Sequence, residues 1–217
     1  MKPKVWVFDL DGTLVDSAPS IALAINKTLG TLSRPPLSLG AVQQMIGEGA
    51  FTLVLRALDV SGGADGLDPT AITRRFLEIL QATEGEGTTA FPGADALLRS
   101  LRAKAAPVGL CTNKPDVPTR QILTRLGWTE LFGAVLGGDA RPYRKPDPRH
   151  IQDVIKALGG GAAVMIGDSI TDLRAAKAAG VPCVLITHGY SVEDVATLGA
   201  DAVVASLAEV PGAVARL

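Results

Sequence analysis

Residues 8–17 read FDLDGTLVDS and follow directly on the apolar run Lys4–Phe8. The run predicts a buried β-strand, and ligands of parallel sheets bind outside the carboxyl ends of such strands. Asp9 and Asp11 stand at that end, and Gly12 permits a turn that brings both carboxylates to one small site. Carboxylates this close repel each other unless a cation or a shared proton intervenes. A divalent cation with oxygen ligands satisfies this need, and Mg²⁺ suits phosphate chemistry.

The rest of the chain alternates between short apolar runs and helical patterns, which predicts an α/β fold with a Rossmann-like parallel sheet covered by helices on both faces. The predicted strands are Lys4–Phe8, Pro107–Thr112, Ala134–Leu136, Ala163–Ile166, Cys183–Thr187 and a weaker Ala202–Val204. The predicted helices between them are Ala94–Ala105, Thr119–Leu126, Pro148–Leu158 and Thr171–Ala179.

One region interrupts this alternation, because residues from about 16 to 87 contain helical patterns and loops but no convincing strand. We therefore predict a core domain of residues 1–15 and 88–217 and a helical cap domain of residues 16–87. Hinges are expected near Asp16–Ser17 and Gly85–Thr89. The predicted cap helices are Ser17–Leu29, one from Ser38 to Ile46, Ala50–Leu58, and one capped by Asp68 and running to about Gln81; Ser61–Gly66 and Glu84–Gly87 are predicted loops.

Three further polar segments follow predicted strands: CTNK at 111–114, RKPDP at 144–148 and GDSITD at 167–172. Each alone has an ordinary structural explanation, since Thr-Asn is common in turns, a loop lysine is usually solvated, and acids are common in the first turn of helices. As a set they place a hydroxyl, an amide, a cation and two more carboxylates at one sheet edge.

These four segments, in this order, resemble the four motifs of the haloacid dehalogenase superfamily, and the helical insertion resembles the cap of those enzymes. The resemblance implies that Asp9 is a nucleophile that forms an aspartyl-phosphate. It implies that Asp11 is the general acid and base, and an acid at this position favours phosphoryl transfer over dehalogenation.

By the same resemblance, Thr112 and Asn113 hold the phosphoryl group and Lys145 stabilises its charge and that of Asp9. Mg²⁺ is implied as the cofactor, bound by Asp168 with Asp9 and the backbone carbonyl of Asp11. Asp172 either joins this metal site or supports it.

The segment IGEGAFTLVLRAL at 46–58 and LGGD at 136–139 are similar to phosphoglycolate phosphatases. Gly47, Glu48 and Gly49 are thus candidates for contact with a carboxylate-bearing substrate, since the glycines let backbone amides approach it. Arg56 could add a cation, although a solvated helix residue is the favoured interpretation of this position. The alternatives are a sugar-phosphate phosphatase, a phosphomutase of the β-phosphoglucomutase type and a non-catalytic phosphate-binding module.

Composition excludes several classes of protein. Of the 217 residues 47% are hydrophobic and 20% charged, and the net charge of −1 without a basic stripe argues against nucleic-acid binding. The apolar runs are too short to cross a membrane. Cys111 and Cys183 lie in apolar surroundings and are predicted to be buried free thiols, which suits the cytoplasm. We expect a monomer or homodimer that acts on a small phosphorylated metabolite, with Tyr190 in a surface loop.

Overall fold

The computed structural model of the protein describes residues 4–83 and 87–217, which form eight β-strands and nine α-helices. The strands are Val5–Phe8 (β1), Val15–Asp16 (β2), Thr89–Ala90 (β3), Val108–Cys111 (β4), Ala134–Leu136 (β5), Ala163–Gly167 (β6), Cys183–Ile186 (β7) and Ala202–Val204 (β8). The helices are Ala18–Thr31 (α1), Leu39–Gln43 (α2), Ala50–Val60 (α3), Pro69–Thr83 (α4), Ala94–Ala103 (α5), Asp116–Arg125 (α6), Pro148–Ala157 (α7), Ile170–Ala179 (α8) and Val210–Val214 (α9).

Six of the strands form one parallel sheet in the order β5-β4-β1-β6-β7-β8. The strand β1 lies inside the sheet, with Val7 opposite Gly109 of β4 on one side and Met165 of β6 on the other. The order reverses direction beside β1, which is the kind of switch point where ligands of open α/β sheets bind. The predicted α/β fold with a parallel sheet is confirmed.

Both faces of this sheet are covered, because successive strand residues point to opposite sides. Phe8, Leu110 and Ile166 face a core that includes residues of α5 and α6. Val7 and Met165 face a second core, formed with α7 and α8. Strands buried on both faces need nearly continuous apolar sequences, as the predicted strands have.

The helices α1 to α4 pack around a third apolar core of their own, whose fully buried members include Ile25, Leu58 and Phe76. Asp68 begins α4 as predicted, since its carboxylate accepts a hydrogen bond from the Thr70 N–H at 2.9 Å. None of the helices in the described ranges combines the length and hydropathy needed to span a membrane.

Several predicted boundaries need correction. The helix α6 begins at Asp116, three residues before the predicted start at Thr119, because Pro118 falls in the first turn, where a missing N–H is harmless. The helix α2 ends at Gln43 and does not reach Ile46. The predicted hinge Gly85–Thr89 and loop Glu84–Gly87 lie partly outside the described residues.

A short antiparallel ribbon was not expected from the sequence. Val15 pairs with Ala90 and Asp16 with Thr89, so the chain segments entering and leaving the helical region run side by side. Strands of two residues are too short to produce a recognisable alternation of apolar and polar residues.

Candidate active site

Four loops meet at the carboxyl edge of the sheet, because the strands β5, β4, β1 and β6 are neighbours. Asp9 follows β1, Thr112 follows β4 and Asp168 follows β6, while Lys145 comes from the loop between β5 and α7. All four are at least nine-tenths buried. The structure thus brings the four sequence segments together at one place.

Lys145 forms the centre of a buried ion-pair network. Its Nζ lies 2.8 Å from Asp9 Oδ1 and 2.7 Å from Asp172 Oδ1. Burial alone would lower the pKa of Lys145, but the Asp172 and Asp9 carboxylates offset this and hold that pKa above its usual value. Lys145 therefore stays charged at any physiological pH.

At Asp9, unlike at Lys145, the effect of burial on the pKa is larger than that of the neighbouring charges. Burial raises its pKa to about 7, despite the opposing attraction of Lys145, and the nearby Asp172 carboxylate adds to the rise. One lysine is thus insufficient to keep this carboxyl fully ionised. A further cation near Asp9 would favour the ionised form that a nucleophile requires.

Asp168 sits in a tightly enclosed position. Its Oδ1 accepts a hydrogen bond from Thr13 Oγ1 at 3.0 Å, and its Oδ2 accepts one from the Tyr190 N–H at 2.8 Å. Burial raises the pKa of its carboxyl well above normal, and repulsion from Asp172 and Asp9 raises it further. A Cβ atom at Gly12, which has φ +82°, would overlap the Asp168 carboxylate, so only glycine fits this turn.

These carboxylates fit a divalent metal ion. Asp9, Asp168 and Asp172 each offer an oxygen, and the three oxygens lie within 4.8 Å of one another. Hard cations prefer such oxygen ligands, and bound cations remove the repulsion that raises the pKa values of Asp9 and Asp168. The site is therefore suited to hold a divalent cation.

Asp172 has little capacity left for a metal. Its Oδ1 accepts from Lys145, and its Oδ2 accepts from Ser169 Oγ at 2.7 Å and from the N–H groups of Ser169 and Asp168 at 3.2 and 3.3 Å. With Ser169 it forms the capping box that begins α8. The geometry therefore favours Asp172 as a support that orients Lys145 and the Asp168 loop.

Asp11 is held from two directions. Ser17 Oγ donates a hydrogen bond to Asp11 Oδ1 at 2.5 Å, and Lys114 Nζ lies 3.5 Å from the same oxygen. Asp11 also lines the cavity that opens beside Asp9. Its position is compatible with proton transfer to a group bound in that cavity.

Thr112 and Asn113 differ in what they can offer a ligand. Thr112 is buried and lines the cavity, and its Oγ1 accepts a hydrogen bond from the Lys114 N–H at 3.2 Å, which leaves the hydroxyl proton for another acceptor. The Asn113 amide nitrogen instead donates to the carbonyls of Gly47 and Lys145, both at 2.9 Å. Its side chain therefore connects the helical region to the core, and this leaves it less available to phosphate than predicted.

The cavity beside Asp9 has one polar and one apolar wall. The polar wall comes from the sheet edge, and Gly47 and Gly49 of the helical region line the cavity as predicted. Glu48 and Arg56 form an ion pair with each other and line a neighbouring cleft that also includes Asp11 and Asp168. The structure does not bring these two side chains to the lining of the cavity beside Asp9.

The sequence profile of the haloacid dehalogenase-like hydrolases matches residues 3–180, which is most of the chain. The chain belongs to the haloacid dehalogenase-like hydrolases. Among curated members of this family, it is 46% identical to the phosphoglycolate phosphatase of Rhodospirillum rubrum over 93% of this chain and 86% of that protein. It is 41% identical to the phosphoglycolate phosphatase of Caulobacter vibrioides over 95% of this chain and 88% of that protein.

A solved haloacid dehalogenase-like structure supports the same relationship. The crystal structure of a predicted phosphoglycolate phosphatase from Haemophilus somnus superposes with a TM-score of 0.90 at 30% identity. The match covers 98% of each chain, so it includes the helical region as well as the sheet.

Two residues of the site were missed by sequence reasoning. Lys114 belongs to CTNK but was given no function, since nothing in that segment predicts that its side chain is buried. Tyr190 was expected in a surface loop, yet its hydroxyl donates to Asp16 Oδ1 at 2.6 Å and accepts from the N–H groups of Ser17 and Ala18. No local sequence signal indicates contacts across such a distance along the chain.

Proposed function

We propose that the protein is a Mg²⁺-dependent phosphatase that hydrolyses 2-phosphoglycolate to glycolate and phosphate through an aspartyl-phosphate on Asp9. The observation that carries this proposal is the buried Asp9 carboxylate, paired with Lys145, at the floor of a cavity that also contains Asp11 and Thr112. A nucleophile, a proton donor and a hydroxyl donor around one small space are what stepwise phosphoryl transfer requires.

In the first step, a carboxylate oxygen of Asp9 forms a bond to phosphorus while the bond from phosphorus to the ester oxygen breaks. Asp11 supplies the proton that the departing oxygen needs, so the product leaves as a neutral alcohol group. Lys145 stays charged throughout and stabilises the negative charge near Asp9, while Thr112 donates a hydrogen bond to a phosphoryl oxygen.

In the second step, Asp11 is ionised and accepts a proton from a water molecule whose oxygen attacks phosphorus. The bond between Asp9 and phosphorus breaks, which releases phosphate and restores the Asp9 carboxylate. The Ser17 hydroxyl keeps the Asp11 carboxyl in place for both proton transfers.

The metal would be held by Asp9, Asp168 and the backbone carbonyl of Asp11. When bound, Mg²⁺ supplies positive charge that neutralises the phosphoryl oxygens and the clustered carboxylates. Asp172 keeps Lys145 and the Asp168 loop in position but does not bind the metal in this proposal.

The substrate assignment rests on the relatives, since the two curated proteins described above act, by name, on phosphoglycolate. The helical side of the cavity is largely apolar, with side chains such as Leu53 and Phe76 beside the backbone of Gly47 and Gly49. A sugar phosphate would bury hydroxyl groups against that wall without hydrogen-bond partners, which is costly. This argues against the sugar-phosphate phosphatase and phosphomutase alternatives.

We further propose that residues 16–87 act as a cap that closes over the cavity, with the ribbon of β2 and β3 as its connection to the core. The Asn113 contact with Gly47 supports this, since it joins the two parts beside the site. Both cysteines are buried and free, which fits a reducing cytoplasm in which the protein meets a free metabolite as a monomer or homodimer.

The test is phosphate release from a panel of esters, with Mg²⁺ and with chelator, by the wild type, by Asp9→Asn and by the matched variant Asp59→Asn. Asp59 is exposed on α3, so its change should leave activity as it is. We expect a preference for 2-phosphoglycolate, loss with chelator and a fall of at least about 1,000-fold in Asp9→Asn. Activity retained in Asp9→Asn would contradict the mechanism, and preference for another ester would contradict the substrate.

A further inference from the structure

The loop after β4 carries Thr112 and Asn113 and leads into α6, whose N-cap residue provides no side-chain cap. This residue is Pro115, which has no side-chain group that can accept a hydrogen bond from the first turn. The Asp139 carboxylate, in the loop after β5, takes this place, because its Oδ1 accepts a hydrogen bond from the Asp116 N–H at 2.8 Å. A carboxylate also suits the positive end of the helix dipole. The start of α6 is thus held from a neighbouring loop.

Two backbone hydrogen bonds join the same two loops. The Thr112 N–H donates to the Leu136 carbonyl at 3.1 Å, and the Gly138 N–H donates to the Lys114 carbonyl at 2.8 Å. Together with the bond to Asp139, they continue the pairing of β4 with β5 beyond the ends of these strands. The loop that carries the proposed phosphate ligands is therefore fixed along its length to the loop after β5.

Glycines at 137 and 138 make this close approach possible. A Cβ atom at Gly137 would overlap the backbone of Asp116, and one at Gly138 would overlap the carbonyl of Asn113. At these two positions the loops therefore meet backbone against backbone. The sequence LGGD at 136–139 combines what the contact needs, a pair of glycines followed by a carboxylate.

We infer that Asp139 is a positioning residue for phosphoryl transfer, which holds the loop 112–115 so that the Thr112 hydroxyl meets the phosphoryl group. This inference rests on the proposed function and deepens it. The loop ends at Asp116, so a shift at the start of α6 moves the loop as well. Displacement of a donor by about 1 Å can lower a rate by about 100-fold. Asp139 is exposed and is not among the residues that line the cavity beside Asp9, so its effect is transmitted by the loop.

The experiment measures kcat for the ester that the wild type hydrolyses fastest, in Asp139→Ala and Asp139→Asn, each alone and combined with Thr112→Val. Alanine removes the acceptor, and we expect kcat to fall about tenfold. Asparagine keeps an amide oxygen for the Asp116 N–H and should retain most of the wild-type kcat. In the Thr112→Val background we expect Asp139→Ala to lower kcat by less than about twofold, because the hydroxyl that the loop positions is already absent.

Asp201→Ala is the matched control. Asp201 is also exposed, and its Oδ2 accepts a hydrogen bond from the Cys183 N–H at 2.8 Å, but at the start of β7, on the opposite edge of the sheet. Its replacement removes the same kind of contact and should leave kcat unchanged in both backgrounds. Urea unfolding of the two alanine variants shows whether both are folded under the conditions of the assay.

The possible results separate this inference from the proposed function. A wild type that hydrolyses phosphate esters, together with an unchanged kcat in Asp139→Ala, would overturn the inference alone. So would an equal fall of kcat in the Thr112→Val background, since Asp139 would then act independently of Thr112. A wild type that hydrolyses none of the esters would overturn both proposals. If alanine impairs folding, Asp139→Glu, which displaces the acceptor by one methylene group, takes its place in the same comparison.

Discussion

Tyr190 connects the loop after β7 to the start of the helical region. Its hydroxyl donates to Asp16 Oδ1 and accepts from the N–H groups of Ser17 and Ala18, while its own N–H donates to Asp168. Burial raises the pKa of the phenol above its usual value, and its hydrogen bond to the Asp16 carboxylate adds to this rise, so the hydroxyl keeps its proton. One residue therefore holds a proposed metal ligand, through its backbone N–H, and the first turn of α1, through its hydroxyl, in a fixed relation.

We predict that Tyr190→Phe lowers the free energy of unfolding by about 2 kcal/mol, because two N–H groups and a carboxylate each lose a hydrogen bond. The turnover number should fall as well, since Ser17 positions Asp11. Denaturant unfolding measures the first effect and steady-state kinetics the second. The control is Tyr143→Phe, which removes a hydroxyl bonded to Asp153 near the surface and should change stability far less. Equal effects of the two variants would contradict the prediction.

At the scale of single residues, sequence reasoning predicts which side chains meet but less well what each one contacts. Asp9, Thr112 and Asp168 each follow a strand, and parallel strands end at one edge, so their meeting follows from the strand pattern. The two carbonyls that Asn113 contacts come from segments far along the chain, so its amide could not be assigned to them beforehand. The catalytic functions themselves remain predictions.

At the scale of elements, the loop 46–49 is tied to the core through Asn113. The amide of Asn113 bridges the carbonyl of Gly47 in this loop and the carbonyl of Lys145 in the core. Gly47 has φ +118° and Gly49 has φ +93°, conformations that other residues rarely adopt. The loop therefore has a shape that strongly favours glycine at both positions and a tether that determines where it lies over the cavity.

We predict that Asn113→Ala raises amide exchange of the loop 46–49 and lowers kcat/KM by roughly tenfold, since the loop loses a charge-neutral hydrogen bond worth about 1 kcal/mol and its position over the substrate. Hydrogen exchange followed by mass spectrometry locates the change. Asn26→Ala is the matched control, because Asn26 tethers Leu37 within the helical region by two hydrogen bonds. It should loosen the segment around Leu37 only. Unchanged exchange at 46–49 in Asn113→Ala would argue against the tether.

The elements themselves were largely predictable, with errors where local signals are ambiguous. The strands of the sheet stand out because they are short apolar runs between turn signals, and the half-exposed Ala202–Val204 is the weakest of them. The start of α6 was placed too late because a proline can either precede a helix or occupy its first turn. The ribbon of β2 and β3 was not predicted, because its pairing joins residues that are distant in the chain.

Across the whole molecule, buried ionisable groups are concentrated beside the sheet edge and respond to pH in opposite directions. The pKa of Asp9 is raised, so ionising it as pH increases costs folding stability when no metal is bound. His150, on α7 behind this edge, is fully buried, and burial together with repulsion from Lys145 lowers its pKa to about 4. Asp153 partly opposes this effect, whereas Arg141 adds to it.

His150 makes the folded protein less stable as pH falls, because the unfolded chain binds a proton more readily at this side chain. In the unfolded chain the imidazole takes up a proton below about pH 6.5, whereas in the folded protein it does so only near pH 4. The unfolded state is therefore stabilised relative to the folded state as pH falls between these values. We predict that the wild type loses up to about 3 kcal/mol of stability over this range relative to His150→Leu. Urea unfolding of both proteins at several pH values, in one Mg²⁺ concentration, measures the difference and cancels the contribution of Asp9. Parallel pH profiles would show that His150 is not held neutral by the fold.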